Sequence, residues 1–191
     1  MRLKKNIEKD ANPLIMVMSA RFQAQKDHET LINALVPIKN LNWELMLLGD
    51  GELMPIIKEK VNNLNLSEKV FFEGAVNNVP KYLEEADIFL LITNWEGLPI
   101  SILEAMAHSL PIIATDVAGV KEEVLNGVNG FLVPRKDSKS ITSSILHFYN
   151  DRQLAVQMGQ KSREHFEKNF TIDIMVENTL RLYKEIIDNK N

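Results

Sequence analysis

The 191-residue chain contains no cysteine. That excludes a disulfide framework and a thiolate metal site, and it fits a reducing compartment. A basic excess is missing too. Against 22 Lys and Arg stand 26 Asp and Glu, a net charge of −4, whereas a nucleic-acid binder carries a basic face. No apolar run is long enough to span a bilayer. No apolar segment follows the basic start Met1-Arg2-Leu3-Lys4-Lys5-Asn6, so that start does not read as a signal peptide. The expectation is a soluble, cytoplasmic chain with no nucleic-acid partner and no transmembrane segment. The histidines His28, His108, His147 and His165 are scattered without metal-ligand spacing. There is no Walker loop and no Gly-x-Ser-x-Gly elbow. A redox dinucleotide fold is disfavoured, because the loop after the first apolar run, Arg21 to Lys26, holds no glycine.

What is present is a regular alternation. Short apolar runs at Leu14–Ala20, Trp43–Leu48, Lys69–Glu73, Asp87–Thr93, Pro111–Thr115 and Phe131–Val133 read as six strands. Helical spacing of Leu31, Ala34, Leu35 and Ile38 predicts a helix after Asp27, a plausible N-cap. Further helices are predicted at Leu53–Leu64, Val79–Ala86, from the Gly-Leu-Pro turn to His108, and at Val120–Leu125. Ser138–Tyr149, Asp151–Lys168 and Ile172–Asp188 form a helical tail. Strands that are continuously apolar and alternate with helices indicate a parallel sheet covered on both faces. The fold class is therefore α/β: a doubly wound, Rossmann-like, six-stranded parallel sheet with helices on both faces and a helical C-terminal tail. The expected organisation is a polar segment over 1–12, one domain over 13–170 and a C-terminal helix over 171–191. Gly49-Asp50-Gly51 lacks the third glycine of a dinucleotide fingerprint and reads as a turn. Met16 and Met18 read as core filling.

In such a sheet ligands sit beyond the carboxyl ends of the strands, where the strand order reverses. In the common order that point lies between the first and fourth strands, and the two loops leaving there carry the chemistry. The first supplies Arg21 and Lys26. The second supplies Glu96, the Gly97-Leu98-Pro99 turn and a helix bearing Glu104. A bidentate Arg, a point-charge Lys and a helix N-terminus suit a diphosphate, while carboxylates accept hydrogen bonds from sugar hydroxyls. Pro99 has no N–H, so the backbone donors left are those of Gly97, Leu98, Ile100 and Ser101, plus the Ser101 hydroxyl. Taken singly, each residue has a plainer reading. Arg21 and Lys26 are loop charges, Glu96 a carboxylate favoured by the helix dipole, and Glu104 a good helix former. Placement on two converging loops favours the site.

The segments SARFQAQKDHETLINAL, LLGDGEL and VFFEGAVNNVPKYLEEADIFLLITNWEGLPISILEAMAHSLPIIATDVAGVKEEVLNGVNGFLV, in that order, resemble the C-terminal, donor-binding half of retaining GT-B glycosyltransferases, most like family 4. The likeness covers roughly residues 13 to 135 and includes the Glu-x7-Glu signature from Glu96 to Glu104. The resemblance implies that Arg21 and Lys26 contact the donor diphosphate and steady the leaving group. It implies that Glu96 contacts the transferred sugar, that Glu104 binds the ribose hydroxyls, and that Gly97 to Ser101 offer backbone donors. Gly74, Ala75 and Val76 fall where the family seats the nucleobase. The implied reaction moves a glycosyl group, with retention, from a UDP-, GDP- or ADP-linked sugar to a polysaccharide, lipopolysaccharide or capsule-type acceptor. No metal and no other cofactor is implied. The acceptor-binding N-terminal domain of such enzymes is absent from this sequence, so the chain is expected to bind donor but to be inactive alone. The C-terminal helix resembles the segment that crosses back to that domain. Its apolar positions Met175, Val176, Leu180, Tyr183 and Ile187 are then either left uncovered or folded back. The resemblance is compatible with peripheral attachment of a full-length protein at the inner face of a membrane. A non-catalytic nucleotide-sugar-binding module and a fragment of a GT-B nucleotide-sugar epimerase remain alternatives.

Three departures from the family pattern stand out. Ser109 replaces a usual Gly, which implies strain if the backbone there is left-handed. Asn94 stands where Ser is common, and Leu98-Pro99 replaces a frequent Phe-Gly.

Overall fold

The computed structural model describes residues 12–188; all but the last residue of the polar segment expected over 1–12 lies outside them. Six strands form one all-parallel sheet: β1 (Leu14–Ser19), β2 (Trp43–Leu48), β3 (Val70–Gly74), β4 (Ile88–Leu91), β5 (Ile112–Thr115) and β6 (Gly130–Val133). The order across the sheet is β3-β2-β1-β4-β5-β6. The chain therefore winds outward one way from β1 and the other way from β4, and right-handed crossovers place the helices of the two halves on opposite faces. All four residues of β4 and of β5 are buried. That accounts for the unbroken apolar run at Ile88–Leu91, since a central strand covered on both faces has no solvent side for polar residues.

The helices are α1 (His28–Leu35), α2 (Met54–Asn63), α3 (Val79–Glu85), α4 (Ile100–Ala107), α5 (Val120–Glu123), α6 (Ser138–Asn150), α7 (Arg152–Asn169) and α8 (Ile172–Asp188). Asp27 caps α1, accepting from Thr30 N at 3.3 Å. Asp137 and Asp151 cap α6 and α7 in the same way, each at 3.0 Å. α1 ends earlier than its spacing predicts, because Pro37 falls in a short 3-10 turn over Val36–Ile38. The Ile38 carbonyl then accepts the buried Trp43 indole N–H at 2.7 Å. α1 packs on α6, and α4 on α7. Met16 and Met18 are fully buried.

Gly49-Asp50-Gly51 is a turn. Gly49 and Gly51 have φ of +130° and +154°, and a Cβ on either would strike the backbone of Ala20 or Phe22. These glycines let the β2 loop lie flat against the start of the β1 loop. No residue of α8 is buried, and Met175, Val176, Leu180 and Tyr183 stand exposed along it. Of the two expectations for that helix, the uncovered one is what the structure contains. Among the described residues no helix is long and apolar enough to cross a membrane.

Ser109 closes α4 with φ +59°, the left-handed conformation glycine adopts freely. Its carbonyl is pressed against Gly159 of α7, so the backbone has no room to relax. Ser109→Gly is expected to raise stability by up to about 1 kcal/mol. Chemical denaturation measures it, and an unchanged or lower midpoint would contradict the strain.

Candidate functional site

The loops after β1 and β4 are stitched together. Lys26 and Thr93 form an isolated antiparallel bridge. Asp27 N donates to Ile92 O at 2.9 Å, and Asn94 N to Gln25 O at 2.8 Å. Asn94 Nδ2 donates to Ala24 O at 2.8 Å, and Gln25 Nε2 to Trp95 O at 2.7 Å. A short antiparallel ribbon thus crosses the mouth of the switch point and fixes which side chains face each other there.

At its centre Lys26 Nζ donates to Glu96 Oε1. Thr93 Oγ1 lies 2.9 Å from the same oxygen and within reach of the Gln25 and Trp95 carbonyls. A hydroxyl has one proton, and the nearest, charged acceptor takes it. The Lys26 and Glu96 side chains are only 15% and 8% exposed. At that burial, removing either charge leaves the other unpaired in a poorly solvated place. Lys26 has three N–H donors and spends one on Glu96, which leaves two for a ligand.

Arg21 is exposed and has no ion-pair partner among the described residues. Pro99 is the N-cap of α4, not a residue inside its first turn, and Ile102 N bonds back to Pro99 O at 2.9 Å. The N–H groups of Gly97, Leu98, Ile100 and Ser101 find no backbone acceptor among the described residues, so the helix start presents them. Glu104 lies one turn further along and is exposed. Gly74, with φ +70°, accepts from Gly49 N at 2.7 Å. Gly74, Ala75 and Val76 stand two strand spacings from β1, roughly 10 Å along the sheet edge. The structure therefore joins Lys26, Glu96 and the Gly97–Ser101 turn at the switch point, leaves Arg21 exposed on the β1 loop where it runs beside the β2 loop, and sets Gly74–Val76 apart, on the β3 edge.

Four supporting residues join the site, of which the sequence singled out only Asp27, and that as a helix cap. Asp27 also accepts from Thr30 Oγ1 at 2.6 Å and pairs with Lys136 at 2.9 Å. Burial pushes its carboxyl up, but the Thr30 hydrogen bonds and the Lys136 ammonium outweigh that and hold it below its ordinary value. This anchors the residue next to Lys26. Gly119, the N-cap of α5, lies so close to the Gly97 carbonyl that a Cβ would overlap it. Thr115 Oγ1 accepts from Thr93 N at 2.9 Å. Glu123 is fully buried, and neither carboxyl oxygen has a hydrogen-bond partner. Burial, then the nearby Glu96 and Glu122 charges, push its pKa up to about 8. A neutral acid is thus the form that can sit beside an ionised Glu96. The available signal was a carboxylate three residues after Val120 and next to Val124, on the face those valines bury. His28, stacked on Phe22 with ring centroids 4.1 Å apart, has its pKa lowered to about 4 by burial, so it stays neutral at pH 7. Among the described residues no group of three or more His, Cys, Asp or Glu side chains could hold a metal ion.

A 3-2-1-4-5-6 parallel sheet with cations, carboxylates and a helix start at its switch point is a Rossmann-like domain with a polar crevice at that point. Residues 2–165 match the family model described as Glycosyl transferases group 1, and the chain belongs to that family. It is 28% identical to the N-acetyl-alpha-D-glucosaminyl L-malate synthase of Bacillus anthracis, over all of this chain and 50% of that protein. It is 29% identical to the UDP-Gal:alpha-D-GlcNAc-diphosphoundecaprenol alpha-1,3-galactosyltransferase of Escherichia coli, over 94% of this chain and 43% of that protein. The chain spans about half the length of these relatives. The fold matches the crystal structure of Anabaena HepE in complex with UDP, with a TM-score of 0.86 and 22% identity over 92% of this chain and 50% of HepE.

Two variants test the supporting residues. Gly119→Ala forces the Gly97 turn or α5 to move, and the overpacking should cost about 1–3 kcal/mol in chemical denaturation; a neutral effect would mean that the contact yields freely. For Glu123 the unfolded carboxyl titrates near 4.5 and the folded one near 8. The unfolded state therefore binds fewer protons between those values, and stability falls as pH rises from about 4.5 to about 8. Glu123→Gln should flatten that part of the stability–pH curve. Identical slopes for the two proteins would rule out a neutral buried acid.

Proposed function

We propose that this chain is the nucleotide-sugar-binding half of a retaining glycosyltransferase and that it does not turn over alone. One observation carries the reading: the β1 and β4 loops are stitched so that Lys26, paired with Glu96, lies beside the turn that opens α4 at Gly97–Ser101, with Arg21 exposed on the same β1 loop. That is an anion site for two phosphates. Arg21 is free for bidentate contact, and Lys26 adds a charge held in place by Glu96. The presented N–H groups of Ile100 and Ser101 complete it. Glu104 is set one turn along α4 for the ribose hydroxyls, and Glu96 for those of the sugar. Gly74–Val76, two strand spacings away, would seat the base. UDP is the favoured nucleotide, because solved complexes of HepE hold UDP, one of them with glucose. The relatives' names mention glucosaminyl and galactosyl transfer, the latter to a diphosphoundecaprenol-linked sugar. Both support transfer of a hexosyl group, and the lipid-linked acceptor of the second supports a part in envelope glycan synthesis.

In the reaction the bond from the sugar C1 to the diphosphate oxygen breaks, an acceptor hydroxyl oxygen bonds to C1 on the same face, and its proton leaves with the diphosphate. Negative charge grows on the departing diphosphate, where Arg21, Lys26 and the helix-start N–H groups lie. Preorganised donors at the site of developing charge are a large contribution to catalysis. Through the ion pair Glu96 aims Lys26 as well as contacting sugar. The other half of the cleft would come from the acceptor-binding domain.

Calorimetry of the chain with UDP and UDP-glucose tests these roles. Arg21→Ala should weaken both ligands by about tenfold or more, the loss of a hydrogen bond between charged groups. Glu104→Ala should weaken both as well, whereas Glu96→Gln, which keeps the shape, should weaken UDP-glucose more than UDP. No binding of either ligand by the wild type, or equal binding by all four proteins, would reject the proposal. So would brisk turnover by the isolated chain with a simple acceptor, as far as its inactivity is concerned.

A further inference from the structure

The turn over 134–137 leaves the edge strand β6, three places from β1 in the sheet order, yet its Lys136 meets the β1 loop. Lys136 Nζ lies 2.9 Å from Asp27 Oδ2; the Asp27 side chain is buried and that of Lys136 is 61% exposed. The turn is pinned at both ends. Asp116 N donates to Val133 O at 2.8 Å, and Asp137 caps α6. α6 in turn packs on α1, where Thr142 Oγ1 lies 2.7 Å from the Ala34 carbonyl. Arg135 borders an open depression beside Glu96, so the turn adjoins both loops of the switch point.

Lys136 holds this place at a backbone cost. Its φ is +60°, a left-handed conformation that glycine takes freely and other residues seldom adopt. Of the other described non-glycine residues, only Asn65 and Ser109 share it, and they directly follow the C-caps of α2 and α4. Helices commonly end that way, whereas Lys136 ends no helix. For shape alone glycine would serve better there, so the ammonium is what the position keeps.

The charges around it say what the ammonium does. The ribbon that closes the switch point holds two buried carboxylates. Lys26 pairs with Glu96, and Lys136 with Asp27. The other donors to Asp27, Thr30 N and Thr30 Oγ1, are neutral. Asp27 directly follows Lys26. Without Lys136 an unbalanced negative charge would therefore stand in the ribbon that receives an anion. Charges about 10 Å apart in a partly buried place still change an anion's affinity by about tenfold. Lys136 cancels that repulsion and leaves the spare N–H groups of Lys26 for phosphate oxygens.

We propose that Lys136 is a positioning residue for donor binding: it neutralises Asp27, so that the ribbon carrying Lys26 accepts a diphosphate. The proposal rests on the reading of the switch point as the donor site. It makes the β6 turn a determinant of donor affinity that acts through Asp27 and not through the nucleotide.

Calorimetry with UDP, and saturation-transfer NMR with uridine as the uncharged probe, test it. Lys136→Gly removes the ammonium and relieves the backbone; it should weaken UDP about tenfold and leave uridine binding as in the wild type. Lys136→Arg keeps a cation on the turn and should hold UDP within about threefold of the wild type. Adding Asp27→Asn to Lys136→Gly removes the stranded charge but keeps a helix cap, so most of the lost affinity should return. The proposal is overturned if Lys136→Gly weakens uridine as much as UDP, or if Asp27→Asn restores nothing. The wild type judges the donor reading separately. No UDP binding there rejects that reading and this proposal together, whereas equal UDP binding by the wild type and Lys136→Gly rejects the proposal alone.

Discussion

The Lys26–Glu96 ion pair is the contact on which the rest of the site depends. It joins the loops that leave β1 and β4, the two strands from which the chain winds in opposite directions. A doubly wound sheet opens a crevice at that point simply because the crossovers turn away to either face. Left to themselves, two polar loops would span it loosely. Here the backbone bridge at Lys26 and Thr93 closes the ribbon, and the buried pair fixes its register. Breaking such a pair from one side strands a charge, so the geometry is held firmly.

The second ring of contacts serves the same end. Lys136 reaches from the turn after β6 to Asp27, and Gly119 brings the start of α5 against Gly97. The β6 turn and the β5 loop therefore bear on both halves of the switch-point site. Glu123 is the least expected member. A buried carboxyl without hydrogen bonds is costly, and keeping it neutral is the cheapest way to tolerate it beside Glu96.

Much of the fold can be read from the chain because its strands are short, apolar and separated by clear punctuation. Ile88–Leu91 and Ile112–Thr115 have no polar alternation, which announces burial on both faces. Asp27 is recognisable as a cap from its position before an apolar helical pattern. Arg21, Lys26 and Glu96 are visible as charges on the loops of the first and fourth strands, once the sheet order is assumed. What stays hidden are contacts between residues far apart in sequence. Nothing around Lys26 says that it pairs with Glu96, 70 residues on. Asp27 and Lys136 are further apart still. Gly119 looks like a turn glycine, and only the packed structure shows the Gly97 carbonyl where its side chain would be. Helix ends are also blurred in the sequence. α1 gives way to a 3-10 turn at Val36, where Pro37 competes with the apolar spacing that runs on to Ile38.

The central claim is that a nucleotide diphosphate lies between the β1 and β4 loops. Mapping backbone amide shifts of the isotope-labelled chain on titration with UDP tests it most directly. The account expects the large shifts at Arg21–Lys26, Gly74–Val76 and Gly97–Ser101, with α8 and the amino ends of the strands unmoved. Shifts confined to other surfaces, or none at saturating UDP, would contradict it.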